Sequence, residues 1–181
     1  MWRRRSKPID ESERVIKDEQ KAKQRTMDRA IRLLAAKPRS VAELRERLLE
    51  KSWTNSHIVG EVLLKLEEYK YLDDKQYAKD LATSKLRQKP QGKRKLKQTI
   101  SQKKLDKDTV EEAIDHAFEK MPETELIQTA IEKRIRLKGI PDTREDLKKF
   151  YDHLMRQGFS YGLIREKLSE ALRQISDEES S

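Results

Sequence analysis

Between Lys85 and Lys107 the chain places ten lysines and arginines, at positions 85, 87, 89, 93, 94, 95, 97, 103, 104 and 107, against one acid, Asp106. That is +9 in 23 residues, and the chemistry such a run suits is contact with a polyanion, either nucleic-acid phosphate or an acidic protein face. The whole 181-residue chain also carries a net +9, so the rest is close to neutral and the excess is one contiguous segment. A solvated helix face can look the same, although uncompensated like charge opposes compaction unless a partner relieves it. A second basic cluster, Lys133, Arg134, Arg136 and Lys138, reads equally well as a contact surface or as a solvated face.

Catalytic chemistry finds little to work with. Asp73 and Asp74 could be proposed as a paired acid/base or metal site, but adjacent helical residues point about 100° apart and no further ligand is spaced to join them. Capping of a helix that opens near residue 74 is the simpler role. His57, His116 and His153 are scattered singly and read as surface or packing residues, and cysteine is absent, which removes disulfides, thiolate zinc sites and cysteine nucleophiles. No glycine-rich phosphate loop occurs. The expectation is a protein with no catalytic residue, no metal and no cofactor. Trp53, Tyr71, Leu72 and Tyr77 could contact bases, yet their place within apolar stripes favours core packing.

The elements that position the basic residues are helices. Glu, Lys, Arg, Gln, Leu and Ala dominate, glycine and proline number five each, and the fold class expected is all-α. With 34% apolar and 41% charged residues the chain cannot build one thick core, so an elongated, modular helical protein is expected. Pro38, Pro90, Pro122 and Pro141 fall between apolar-periodic segments. Helices are predicted near 10–36, 40–51, 55–69, 74–88, 92–103, 107–120, 123–138, 143–157 and 160–175, with Ser40, Asp142 and Ser160 as N-caps and Glu43 completing a capping box with Ser40.

Nine helices suggest three tandem units of three, and self-comparison supports it. Leu44, Leu48, Trp53, Ile58, Val62 and Leu66 recur 52 residues later as Leu96, Ile100, Leu105, Val110, Ile114 and Phe118. Shifted by 106, the positions are Phe150, Leu154, Phe159, Ile164, Leu168 and Leu172. The preceding helices supply Ala30, Ile31, Leu33 and Leu34, then Tyr77, Ala78 and Leu81, then Ile127, Ala130, Ile131 and Ile135. The expected segments are a charged extension at 1–25, units at 26–72, 73–121 and 122–175, and an acidic tail at 176–181. The extension reads as a loosely held helix or disordered arm.

On the helix from Gly92 to Lys103, Leu96 and Ile100 mark the buried stripe. The helical period turns Arg94 and Lys95 away from it, puts Lys97 at its flank, and leaves Lys93 and Lys103 near the apolar edge. The candidate contact residues are therefore Lys93, Arg94, Lys95, Lys97, Lys103 and Lys104, with Lys133, Arg134, Arg136 and Lys138 as a second set. No run is long enough for a membrane span and no secretory signal is expected, so the default compartment is the cytosol.

Three spaced segments carry a resemblance. The first is Ala30-Ile31-Arg32-Leu33-Leu34 with Lys37-Pro38-Arg39-Ser40 and Glu43-Leu44-Arg45-Glu46-Arg47-Leu48, followed by Lys51-Ser52-Trp53 and Tyr71-Leu72-Asp73-Asp74-Lys75-Gln76-Tyr77-Ala78. The second is Gly92-Lys93-Arg94-Lys95-Leu96 with Gln102-Lys103-Lys104-Leu105, and the third is Leu154-Met155-Arg156-Gln157-Gly158-Phe159-Ser160-Tyr161. In this order, over roughly residues 26–173, they resemble the RecX family. Ser52, Lys104 and Lys70 depart from it, standing where the family usually has a glycine at a helix end. The resemblance implies three tandem three-helix units and no enzyme activity. It implies a monomeric regulator that binds RecA recombinase filaments and lowers their ATPase, strand-exchange and co-protease output, with single- or double-stranded DNA bound weakly on its own. The rival is a stand-alone helical DNA- or RNA-binding protein with helix-turn-helix-like units.

Overall fold

Side-chain caps set where most of the helices begin. A computed structural model describes residues 9–179, and among them are a short 3-10 turn at Glu11–Glu13, nine α-helices and no strand. The helices are α1 (Glu19–Ala36), α2 (Val41–Leu49), α3 (Ser56–Glu68), α4 (Asp74–Gln88), α5 (Lys93–Ser101), α6 (Lys107–Lys120), α7 (Glu123–Lys138), α8 (Arg144–Arg156) and α9 (Tyr161–Glu179). Ser40 caps α2 in a full capping box, its Oγ accepting from the Glu43 N–H at 3.1 Å while Glu43 Oε2 accepts from the Ser40 N–H at 3.3 Å. Asp73 accepts from the Gln76 N–H at the start of α4, and Ser160 accepts from the Leu163 N–H at the start of α9. The cap of α8 is Thr143 rather than the expected Asp142, because it is the Thr143 hydroxyl that receives the Asp146 N–H.

The chain divides into two compact units. One holds the described residues up to Tyr77 with 103–105, and the other holds 78–102 with the described residues from 106 onward. The first unit buries Ala30, Leu44, Leu48, Val59, Val62, Leu63, Leu66 and Leu72 as one cluster. Each large aliphatic residue in it contributes about 1.5–3 kcal/mol by leaving water. In the second unit the buried large side chains include Leu96 and Ile100 of α5, Ile114 of α6, Ile127 and Ile131 of α7, and Phe159 after α8. All eighteen positions of the three sequence stripes are buried or half-buried, so the repeat read from spacing is a packing repeat. No described helix is long and apolar enough to cross a membrane.

Two residues expected in the core lie outside it. The inward stripe of α1 runs through Ala22, Thr26 and Ala30, which leaves Ile31 a turn's third away and 50% exposed. Tyr71 is 69% exposed because α3 ends in a Schellman turn. The Tyr71 N–H returns to the Leu66 carbonyl at 2.9 Å and the Lys70 N–H to the Glu67 carbonyl at 3.0 Å, with Lys70 left-handed at φ 59°. Lys104 is also left-handed, at φ 57°, whereas Ser52 is not. The helix-end conformation that favours glycine is thus kept at two lysines.

The stretch at 9–25, expected to be a loose helix or arm, is tied down, most extensively by Arg14 and also by Glu11, which accepts from the Ser56 N–H at 2.7 Å. Arg14, whose side chain is 3% exposed, donates to the carbonyls of Leu49, Lys51 and Thr54 at 2.7 Å each and of Ile9 at 3.1 Å, and pairs with Glu11 at 3.0 Å. Its guanidinium satisfies carbonyls left over where α2 ends. Helix α1 starts at Glu19, capped by Asp18, later than the predicted residue 10. Residues 1–8 lie outside the described part.

Two outcomes follow for stability, both read from denaturant and thermal unfolding monitored by helical circular dichroism. Arg14→Ala should cost about 3 kcal/mol, since several charged hydrogen bonds are lost and buried carbonyls are stranded. Lys70→Gly should gain about 0.5–1 kcal/mol, about 1–4 °C in midpoint, by relieving the left-handed penalty of a side-chain-bearing residue.

Candidate partner and nucleic-acid interface

Two hydrogen bonds at repeat-equivalent positions organise the helices that carry the basic run. In the first unit Ser40 Oγ donates to the Lys103 carbonyl at 2.6 Å. In the second unit Gly92, which is 52 residues further on, donates its backbone N–H to the Gln157 carbonyl at 2.9 Å. Both acceptors stand in the turn that follows a repeat's second helix, α5 and α8 respectively.

The two arrangements differ in charge. Around the first, Glu43 receives Lys103 Nζ at 3.0 Å and Glu46 pairs with Lys104, so both cations are compensated. Tyr77 also points its hydroxyl at Glu43, 3.5 Å away, and partial burial with the Glu43 charge pushes that phenol up to about 12. The same 52-residue shift carries Glu43 and Glu46 to Lys95 and Gln98, and the turn opposite them is Arg156-Gln157-Gly158. The carboxylates are gone and cations remain.

Backbone contact holds that second arrangement together. A Cβ added to Gly92 would stand 2.4 Å from the carbonyl carbon and oxygen of Gly158, and one added to Gly158 would stand 2.5 Å from the Lys95 nitrogen. Gly158 also has φ +94°, a conformation that side-chain-bearing residues rarely adopt. Because Gly92 brings no capping side chain to α5, Glu123 supplies the acceptor instead, taking the Lys93 N–H at 2.9 Å.

Two cationic concavities result within the second unit. One, of about 410 Å3, is lined by Arg94, Lys95, Gln98, Met155, Arg156 and Gly158. The other, of about 290 Å3, is lined by Lys89 and Pro90 from the α4–α5 connection, by Lys133, Arg134 and Lys138 of α7, and by His153 and Gln157. Neither has a carboxylate in its lining among the described residues. Arg134 is steadied there by Phe150, its guanidinium 5.1 Å from the ring centroid, and by the Lys149 carbonyl at 3.4 Å. His153 is held below the usual imidazole range, first by partial burial and then by the positive charges of Arg134, Arg156 and Lys89.

The sequence-derived candidates therefore separate into groups. Lys93 and Lys97 are exposed and pair across to α6, with Asp115 at 2.6 Å and Glu111 at 2.8 Å; the Lys97 hydrogen bond lowers the Glu111 carboxyl. Lys103 and Lys104 pair with α2 as described. Arg94 and Lys95 are exposed and have no carboxylate partner among the described residues, Lys95 Nζ reaching only Gln98 at 3.1 Å. Lys133, Arg134 and Lys138 come together in the smaller cleft, whereas Arg136 lines a different groove, between α7 and α9, beside Glu132 and Glu170. Sequence reasoning missed Lys89, Arg156 and His153 as members of these concavities. The signal for Arg156 was present, in a turn whose glycine is demanded by contact with the basic helix. Elsewhere Glu19, His57 and Glu61 gather within 4.8 Å, but Glu19 and His57 are exposed and Glu61 is already held by Lys23 at 3.0 Å. Trp53 packs under Arg25, 4.3 Å from the ring centroid.

Family models described as the first, second and third three-helix domains of RecX match residues 27–66, 73–114 and 122–168. The "Regulatory protein RecX" of Chlorobaculum tepidum is 33% identical over 155 residues, covering 85% of this chain and 92% of that protein. The chain belongs to the RecX family. A second protein of the same description, from Prosthecochloris aestuarii, is 32% identical over 148 residues, covering 82% of this chain and 94% of its own length. A crystal structure of RecX from Lactobacillus salivarius shares the fold, with a TM-score of 0.73 at 22% identity over 83% of this chain and 97% of that one. The Chlorobaculum tepidum and Prosthecochloris aestuarii relatives are both named as regulatory proteins.

Substituting the RecX chain at its glycine contact gives a direct test of the geometry. Gly92→Ala should destabilise by about 2–3 kcal/mol, because the backbone atoms it meets cannot swing aside as a side chain can. Ser40→Gly, at the equivalent position of the first unit, should cost only about 1 kcal/mol in the same unfolding measurement.

Proposed function

We propose that this chain binds RecA filaments on DNA and lowers their ATPase, strand-exchange and co-protease output, acting as a binding protein rather than an enzyme. The observation that carries the reading is the uncompensated cationic concavity formed by Arg94, Lys95 and Arg156 in a member of the RecX family. The equivalent surface of the first unit is neutralised by Glu43 and Glu46, so the charge in the second unit is specific to it. A concave cationic wall concentrates its field and suits a polyanionic groove, whether lined by phosphate or by acidic side chains.

Of the residues drawn from the sequence, Arg94, Lys95, Lys133, Arg134 and Lys138 are the contacts in this proposal. Lys93, Lys97, Lys103 and Lys104 shape the surface through their ion pairs, and Arg136 stands apart. The modules are taken as 26–72, 73–121 and 122–175, and the protein as a cytosolic monomer that binds DNA weakly alone. Engagement of the filament by more than one module would add avidity without any single strong contact.

The test is RecA's single-strand-dependent ATPase with this protein at substoichiometric amounts. Turnover should fall, and the combined change of Arg94, Lys95 and Arg156 to Glu should weaken that effect about tenfold or more. Undiminished suppression by the variant removes this surface from the mechanism. Unchanged turnover together with tight, base-selective binding to naked duplex favours a stand-alone nucleic-acid-binding protein instead.

A further inference from the structure

The smaller cleft of the second unit holds an imidazole, which its neighbour lacks. Lys89, Lys133, Arg134 and Lys138 converge on it with His153, and no carboxylate lines it among the described residues. The positive groups come from separate places in the chain, Lys89 from the connection before α5 and the other three from α7, so the fold gathers charge that the sequence keeps apart. Gathering like charge on a concave wall is costly in an empty cleft and favourable once an anion enters.

The imidazole is the part of the cleft that can change charge. It faces Arg134 from α7, Lys89 from the α4–α5 connection and Arg156 on its own helix; among the described residues no charged group from α9 acts on it. Its Nε2 lies 2.6 Å from Gln157 Nε2, an arrangement in which the amide N–H donates to the ring nitrogen and the ring is neutral. Protonation makes that nitrogen a donor and turns the amide so that its oxygen accepts. An anion between Lys133, Lys138 and the ring would favour the charged imidazole, so anion and proton should bind together.

We propose that this cleft is a phosphodiester-binding site in which Lys89, Lys133, Arg134 and Lys138 hold the backbone of a nucleic acid and His153 adds a positive charge by taking up a proton as the strand binds. The proposal deepens the filament reading and rests on it for the presence of nucleic acid within reach. Phosphodiester is favoured over a carboxylate-rich peptide by the number and spread of the cations, because a strand places a regular row of charges along a groove. The cleft shares the Gln157-Gly158 turn with the Arg94–Lys95–Arg156 concavity, Gln157 lining one and Gly158 the other, so one strand can follow both. The sign of the linkage is fixed by the direction of the histidine shift. The free ring is held below its usual range and the bound ring is raised, so affinity increases as pH falls through the interval between them.

The experiment uses the full chain and a fluorescein-labelled oligothymidylate, followed by anisotropy across salt and between about pH 8 and about pH 6. Lys133→Glu combined with Lys138→Glu, both exposed positions on α7, should lower affinity about tenfold or more and reduce the magnitude of the salt slope by about 0.7 per lost phosphate contact. Affinity for the unaltered chain should rise severalfold towards lower pH, and His153→Gln should flatten that rise. Superimposable titrations for the double lysine variant overturn the phosphodiester site. A pH response that survives in His153→Gln overturns the proton linkage. Loss of polyglutamate binding in the double variant with oligothymidylate binding intact assigns the cleft to an acidic protein and also overturns the proposal. RecA ATPase suppression is scored separately, so a failure of this cleft with suppression preserved is distinct from a failure of the filament reading.

Discussion

The second unit depends on two glycine backbones being able to touch. Gly92 and Gly158 approach so closely that neither tolerates a Cβ, and the hydrogen bond from the Gly92 N–H to the Gln157 carbonyl joins the start of α5 to the end of α8. The start of α5 and the end of α8 are placed by this contact. It sets Arg94 and Lys95, in the first turn of α5, against Arg156, and it brings Lys89 and Pro90 beside α7 and His153. A bulkier pair would separate the backbones and dissolve both concavities into ordinary solvated surface.

The first unit shows what the same architecture does with different residues. Ser40 reaches the Lys103 carbonyl through its hydroxyl, so a side chain fills space that is absent at Gly92, and the surrounding lysines meet Glu43 and Glu46. Two copies of one helical pattern thus carry opposite electrostatic treatments. Where carboxylates remain, the cations lock the turn; where they are replaced by Lys95 and Gln98, the cations are left for a partner. Exposed ion pairs of this kind add little to stability on their own, and their main effect is to decide which charges are available.

The apolar skeleton was legible because helical stripes are written within short stretches of chain. The 52-residue repeat located α2 with α3, α5 with α6 and α8 with α9, and its apolar positions are the ones that leave water. The same reasoning failed where the deciding partner is remote in sequence. Lys97 sits at the flank of its stripe as the period requires, yet Glu111 on the next helix claims it. Arg14 belongs to a stretch with no usable periodicity, and three of its acceptors are carbonyls more than thirty residues away, which no composition or spacing encodes. His153 looked solitary because a histidine's role is set by the cations around it, and those come from three elements. Tyr71 lies beside buried Leu72 in an apolar run, but the turn after α3 sends it outward.

The clasp made by Arg14 has a thermodynamic consequence for how the molecule breathes. The 3-10 turn at Glu11–Glu13 buries no residue and Val15 is 73% exposed, so the segment before α1 is held mainly by polar contacts, the Arg14 guanidinium and the Glu11 carboxylate that accepts from the Ser56 N–H at 2.7 Å, with Ile9 and Ile16 only partly buried. Its release would uncover little hydrophobic surface beyond parts of Ile9 and Ile16. Such an opening has little heat capacity and little sensitivity to denaturant, and its amide protons should exchange through a route separate from global unfolding. The amino-terminal segment is therefore a small cooperative unit of its own, whose stability is set by hydrogen bonding while the helices behind it are governed by the core.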